Sequence, residues 1–180
     1  SRLATFSQDW RGLTEEQRLS WNGIVDQWSK TNVFGDVVNP SGSTLYTRLN
    51  INIRLAGGIA ITTPPTPTGV PSLQTLTTTA GVTADEMLLS FTATPVPAGM
   101  VLYVEATPML SPGIFNANSK FRHIVTLPAA TASGADIIAA YTAKFGSLVE
   151  GQKYFVRAKM IRISTGEVSQ VLSASNLVEA

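Results

Sequence analysis

A single histidine, twelve acidic residues and no cysteine bound the chemistry open to this chain. His123 sits in Lys120-Phe121-Arg122-His123-Ile124-Val125, an alternating stretch that reads as a strand. Catalysis of the Ser-His-acid type would have to use it, yet no Gly-x-Ser-x-Gly turn supplies a nucleophile. A strand histidine beside Arg122 therefore reads as structural. One histidine cannot build a histidine-rich metal site, and the absence of cysteine removes sulfur ligands and thiolate chemistry. Asp85-Glu86 is an adjacent acidic pair, but neighbours on an extended chain point apart, which does not suit paired acid–base work; a loop calcium site using Asp85 would need several converging oxygens that the spacing does not show. Gly57-Gly58 follows a helical pattern, the wrong side for cradling phosphate. The sequence thus assigns no catalytic residue, no cofactor-binding residue and no metal ligand, and implies no enzyme and no cofactor.

Composition points toward association. Apolar residues make up 44% of the 180 residues and charged ones only 14%, so little charge opposes contact between chains. Thirteen basic against twelve acidic residues give a net charge of +1 with no basic run, which leaves no footprint for nucleic acid. The apolar runs are short and interrupted, so no membrane span is expected. The opening Ser1-Arg2-Leu3 has no charged start followed by an apolar core, and no secretory signal is expected from it.

Helical spacing occupies the first part of the chain. Thr14 and Gln17 fit a capping box, followed by Trp21, Ile24, Val25 and Trp28 on one stripe. A second helix is expected from about Ser43 to Ala56, capped by Ser41 or Ser43 and stopped at Gly57-Gly58, with Leu45, Leu49, Ile53 and Ala56 on one face. Two such helices cannot enclose their own apolar surface, so they are expected to dock on another part of this chain or on a neighbour. Thr62 to Pro71 carries four prolines and reads as a semi-rigid linker. Beyond it, strand signals recur at Leu73–Thr79, Met87–Thr94, Met100–Thr107, Phe121–Leu127, Lys153–Ile163 and Val168–Ser175. Asp136–Phe145 reads as either a short helix or a strand.

The stretch Leu148-Val149-Glu150-Gly151-Gln152-Lys153-Tyr154-Phe155-Val156, with the later turn Thr165-Gly166-Glu167, resembles the tyrosine corner and last hairpin of a fibronectin type III domain. The resemblance implies a mainly β chain: a seven-stranded sandwich over 73–180, preceded by a two-helix module over 1–61 and a Pro-rich linker over 62–72. It implies that Gly151 makes the turn, that the Tyr154 hydroxyl bonds back to the corner backbone, and that Phe91 stands where the family carries a core tryptophan. Separately, Trp10-Arg11-Gly12-Leu13-Thr14-Glu15-Glu16-Gln17-Arg18-Leu19-Ser20-Trp21 resembles the start of small bacteriophage and prophage structural proteins.

Alternation along the corner strand sets Tyr154, Val156, Ala158 and Met160 inward and Phe155, Arg157, Lys159, Ile161 and Ile163 outward. With Tyr103 and Glu105 from a neighbouring strand, the outer face mixes aromatics with charge, as interfaces do. The interface candidates are Trp21, Trp28, Tyr103, Phe155, Arg157 and Ile161. The N-terminal helices or a partner chain would cover this face. The expectation is a multi-copy virion component (head decoration, head-fibre base or tail-associated) located in the virion and contacting copies of itself and other virion proteins, not nucleic acid or membrane. The alternative is a bacterial surface or secreted adhesin or carbohydrate-binding module.

Overall fold

The computed structural model describes residues 2–180, with side chains from Thr5 onward. Two compact units emerge: Ser1–Val70 with Ile161–Val168, and Pro71–Met160 with Ser169–Ala180.

The first unit holds three helices where the sequence reading placed two. These are α1 (Arg2–Gly12), α2 (Glu15–Gly23) and α3 (Gly42–Leu55). Phe6, Trp10 and Leu13 recur at helical spacing, and Phe6 and Trp10 set their rings 6.5 and 5.5 Å from Tyr46 of α3. That contact gives α1 its place. The capping box forms as expected: Thr14 Oγ1 accepts from the Gln17 amide at 3.2 Å, and Gln17 Oε1 accepts from the Thr14 amide at 2.9 Å. The expected stripe is interrupted, because α2 stops at Gly23 and Val25–Trp28 continue as a 3₁₀ turn. A two-residue hairpin, β1 (Lys30–Thr31) with β2 (Val37–Val38), then leads to α3, capped by Ser41.

Phe6, Leu13, Trp21, Trp28, Leu45, Tyr46 and Leu49 form one buried cluster. The first unit therefore has a core of its own. Trp21 donates its indole N–H to the Thr62 carbonyl at 2.7 Å, whereas the Trp28 indole N–H is buried without an acceptor. Asn50 is fully buried and satisfied: its amide donates to the carbonyls of Tyr46 and Ile61 and its oxygen accepts from the Ile61 amide. Residues 62–70 belong to this unit, as does the tip of the last hairpin. Glu167 accepts from the amides of Thr68 and Gly69, and Asn52 donates to the Gly166 carbonyl at 2.8 Å. Gly166 has φ +72°, and a Cβ there would collide with the Leu49 carbonyl, so only glycine fits.

The second unit is mainly β. Its strands are β3 (Thr75–Gly81), β4 (Glu86–Thr92), β5 (Met100–Ala106), β6 (Arg122–Leu127), β7 (Ala135–Asp136), β8 (Lys153–Arg162) and β9 (Leu172–Leu177). They form a three-stranded sheet in the order β3-β4-β7 and a four-stranded sheet in the order β6-β5-β8-β9, an antiparallel arrangement consistent with a β-sandwich. The stretch left open between helix and strand is α4 (Ile138–Phe145), directly after β7. Alternate residues turn inward: Leu76, Thr78 and Ala80 on β3; Met87, Leu89 and Phe91 on β4; Tyr154, Val156, Ala158 and Met160 on β8.

Tyr154 is fully buried, but its hydroxyl does not return to the corner backbone. It meets Thr78 Oγ1 of β3 at 3.2 Å, joining the two sheets through their shared core. Gly151, with φ +72°, turns the chain just before β8 and donates its amide to the Val178 carbonyl. A different side-chain-to-backbone bond is made by Tyr141 of α4, whose buried hydroxyl donates at 2.9 Å to the carbonyl of Thr107, just past β5 and away from the corner. Tyr154→Phe should keep the packed ring and strand one buried hydroxyl, lowering stability by about 1–2 kcal/mol in urea denaturation. An unchanged midpoint would show that the Thr78 contact contributes nothing.

Candidate functional site: a cationic and aromatic sheet face

Strand alternation puts Lys153, Phe155, Arg157 and Lys159 of β8 on the outer face of the four-stranded sheet. Phe155 lies opposite Ser175 of β9, and Arg157 lies opposite Ser173. β5 contributes Tyr103 and Glu105, and β6 contributes His123, which pairs with Glu105 across a register shift. The loop before β6 adds Phe115 and Phe121.

On this face the cations lie over rings. Lys153 Nζ is 5.0 Å from the Phe115 ring centre and 5.2 Å from that of Phe155. The Arg157 guanidinium lies 4.3 Å over Phe121, and Lys159 Nζ lies 5.2 Å over Tyr103. Every cation–π contact among the described residues belongs to this one face. Arg157 Nε also donates to Glu105 Oε2 at 2.6 Å. Burial pushes the Lys159 ammonium below the usual lysine range; Glu105 pulls it back up and Arg157 pushes it further down.

His123 stacks on Tyr103 at 4.4 Å and shares a 3.0 Å hydrogen bond with the Thr126 hydroxyl. It serves to lay an aromatic surface over β5. Asp85 lies in the turn after β3, and among the described residues no group of three or more His, Asp or Glu could hold a metal ion. A separate groove of about 710 Å³ runs between α1 and α3 in the first unit, lined by Trp10, Thr47, Arg48 and Ile51 among others, with no carboxylate or imidazole to act as acid or base.

Of the interface candidates, the structure brings Tyr103, Phe155 and Arg157 together on the outer sheet face. Tyr103 is nearly covered by its neighbours, while Phe155 and Arg157 are half-buried. Trp21 and Trp28 are not on display: both are inside the core of the first unit. Ile161 is not on display either: the alternation of buried and half-buried residues along β8 breaks at Met160–Ile161, and the Ile161 side chain is fully buried. Lys153, Phe115 and Phe121 were not singled out. Alternation already placed Lys153 beside Phe155, but nothing local in the sequence brings the two loop phenylalanines onto β8.

No protein-family model matches the chain, and no curated protein is similar to it in sequence. Among solved structures it is similar to the chicken interferon gamma receptor alpha chain, at 15% identity and a TM-score of 0.39. The match covers 61% of this chain and 45% of that one, and so slight a likeness carries no argument.

The electrostatics of the face are testable by titration. Glu105→Gln removes the group that raises the Lys159 midpoint, so the midpoint should fall; Arg157→Met removes a like charge, so it should rise. Following the Lys159 side-chain resonances by NMR against pH reads both. Shifts in the opposite directions would show that these three groups do not interact as described.

Proposed function

We propose that this chain is a non-enzymatic structural protein that works by docking to other proteins, its second unit being a fibronectin type III-like sandwich. Three plus four antiparallel strands and a fully buried Tyr154 three residues after the Gly151 turn support that assignment. The observation that carries the docking role is the outer face of the four-stranded sheet. Cations lie over rings there, and aromatics beside an arginine are what interfaces favour and catalysis does not require.

The setting we propose is a bacteriophage or prophage virion, in which the protein is present in many copies as a head decoration, head-fibre base or tail-associated subunit. The resemblance of residues 10–21 to small phage structural proteins supports this, and so does the low charge of the chain. Repetition in a symmetric particle lets a modest face bind firmly, because each copy gains from its neighbours.

Purified particles from the same genome, mixed with the intact protein and separated by sedimentation, test the proposal. The protein should co-sediment at a saturating, symmetric copy number, and Phe155→Ser should weaken that binding roughly tenfold or more, as loss of an interface anchor does. A strictly monomeric protein that leaves particles bare at micromolar concentration would overturn it in favour of a surface adhesin or sugar-binding module.

A further inference from the structure

We propose that this sheet face takes an extended, acidic segment of its protein partner, with carboxylates seated on Lys153 and Lys159. The inference rests on the docking role assigned to the face above. Three cations, Lys153, Arg157 and Lys159, share it with the single carboxylate of Glu105, a surplus of two positive charges. Of the two ion pairs among the described residues, only Arg157–Glu105 lies here, so neither lysine has a carboxylate within ion-pair reach. An aromatic face holds an ammonium group in place but leaves its charge unneutralised. Both lysines are thus fixed by rings and still able to pair with an incoming acid, and the ordering cost of the pairing is already met.

Geometry narrows the partner further. Residues on one face of a strand repeat every ~6.6 Å, which puts the Lys153 and Lys159 backbones roughly 20 Å apart, the reach of about six extended residues. Alongside β8, the exposed side chains of β9 opposite Arg157 and Phe155 are serines, small enough to leave a channel and able to donate to carboxylate oxygens. At the Lys153 end, Phe115 is 86% exposed and offers an apolar anchor beside the charge. An alternating acidic and apolar segment would match both.

The test uses the full-length protein, isotope-labelled for NMR, with a synthetic extended peptide of about eight residues carrying Asp or Glu at alternate positions. Its Asn/Gln counterpart, an oligothymidylate and phosphatidylserine vesicles serve as comparison probes. The acidic peptide should shift resonances of β5, β8 and β9, bind about tenfold or more tightly than the amide peptide, and weaken about as much between roughly 50 and 300 mM salt. Lys153→Met with Lys159→Met keeps the stems over the rings and should abolish the shifts with the melting temperature unchanged. Equal binding of both peptides, no binding by either at millimolar concentration, or preference for the oligonucleotide or the vesicle would overturn the inference. Particle binding separates the two layers. A double variant that still coats particles like the wild type sinks the acidic partner alone, whereas particle binding indifferent to Phe155→Ser sinks the docking face itself.

Discussion

The carboxylate of Glu167 is the contact on which the first unit depends. Its Oε1 accepts from the amides of Thr68 and Gly69 at 3.0 and 2.8 Å, and its Oε2 accepts from the hydroxyls of Thr68 and Thr165 at 2.9 and 2.8 Å. Arg162 Nε stands 3.6 Å from the same oxygen and Arg162 Nη2 donates to the Gly69 carbonyl. Burial alone would raise the carboxyl above its ordinary range; the hydrogen bonds outweigh that and leave it lowered. The need for such a contact follows from the sequence. Pro64, Pro65 and Pro67 lack amide donors, so the stretch through Val70 cannot join a ladder and must be held at its few free amides. Asn50 and Trp21 hold the start of that stretch at Ile61 and Thr62, and Glu167 holds its end.

In the second unit a different constraint governs the surface. A strand that buries Tyr154, Val156, Ala158 and Met160 must present the residues between them on its other face. Three of the four displayed by β8 between Lys153 and Lys159 are cationic, and one carboxylate cannot balance them. The chain resolves this with rings, which shelter the side-chain stems without cancelling their charge. Charge that the fold leaves uncompensated is available for recognition.

Much of this was legible in the residue order, because caps and alternation are local signals. Thr14 and Gln17 announce α2, Ser41 announces α3, and the period-two pattern of β8 separates core from surface through Met160. The helix carrying Phe6 and Trp10 was missed, although the helical spacing of those apolar residues is itself a local signal. What could not be read were partners distant in sequence. Thr78 meeting Tyr154, Phe121 under Arg157 and Glu167 reaching Thr68 are separated by long stretches of chain, and each looks like an ordinary surface residue in isolation. The same holds for Ile161, which is fully buried and grouped with the first unit although it continues β8 in sequence.

Glu167→Gln tests the central contact most directly, since an amide keeps the shape but cannot accept at both oxygens. Hydrogen exchange at the Thr68 and Gly69 amides should lose protection, with stability at neutral pH falling by about 2–3 kcal/mol, as loss of buried charge-assisted hydrogen bonds does. Because the folded carboxyl is lowered, its stabilisation is present above the ordinary carboxylate range and lost as pH falls through the folded value, so the variant should also show a shallower acid limb. Unchanged protection at both amides, together with a wild-type acid limb, would contradict the account.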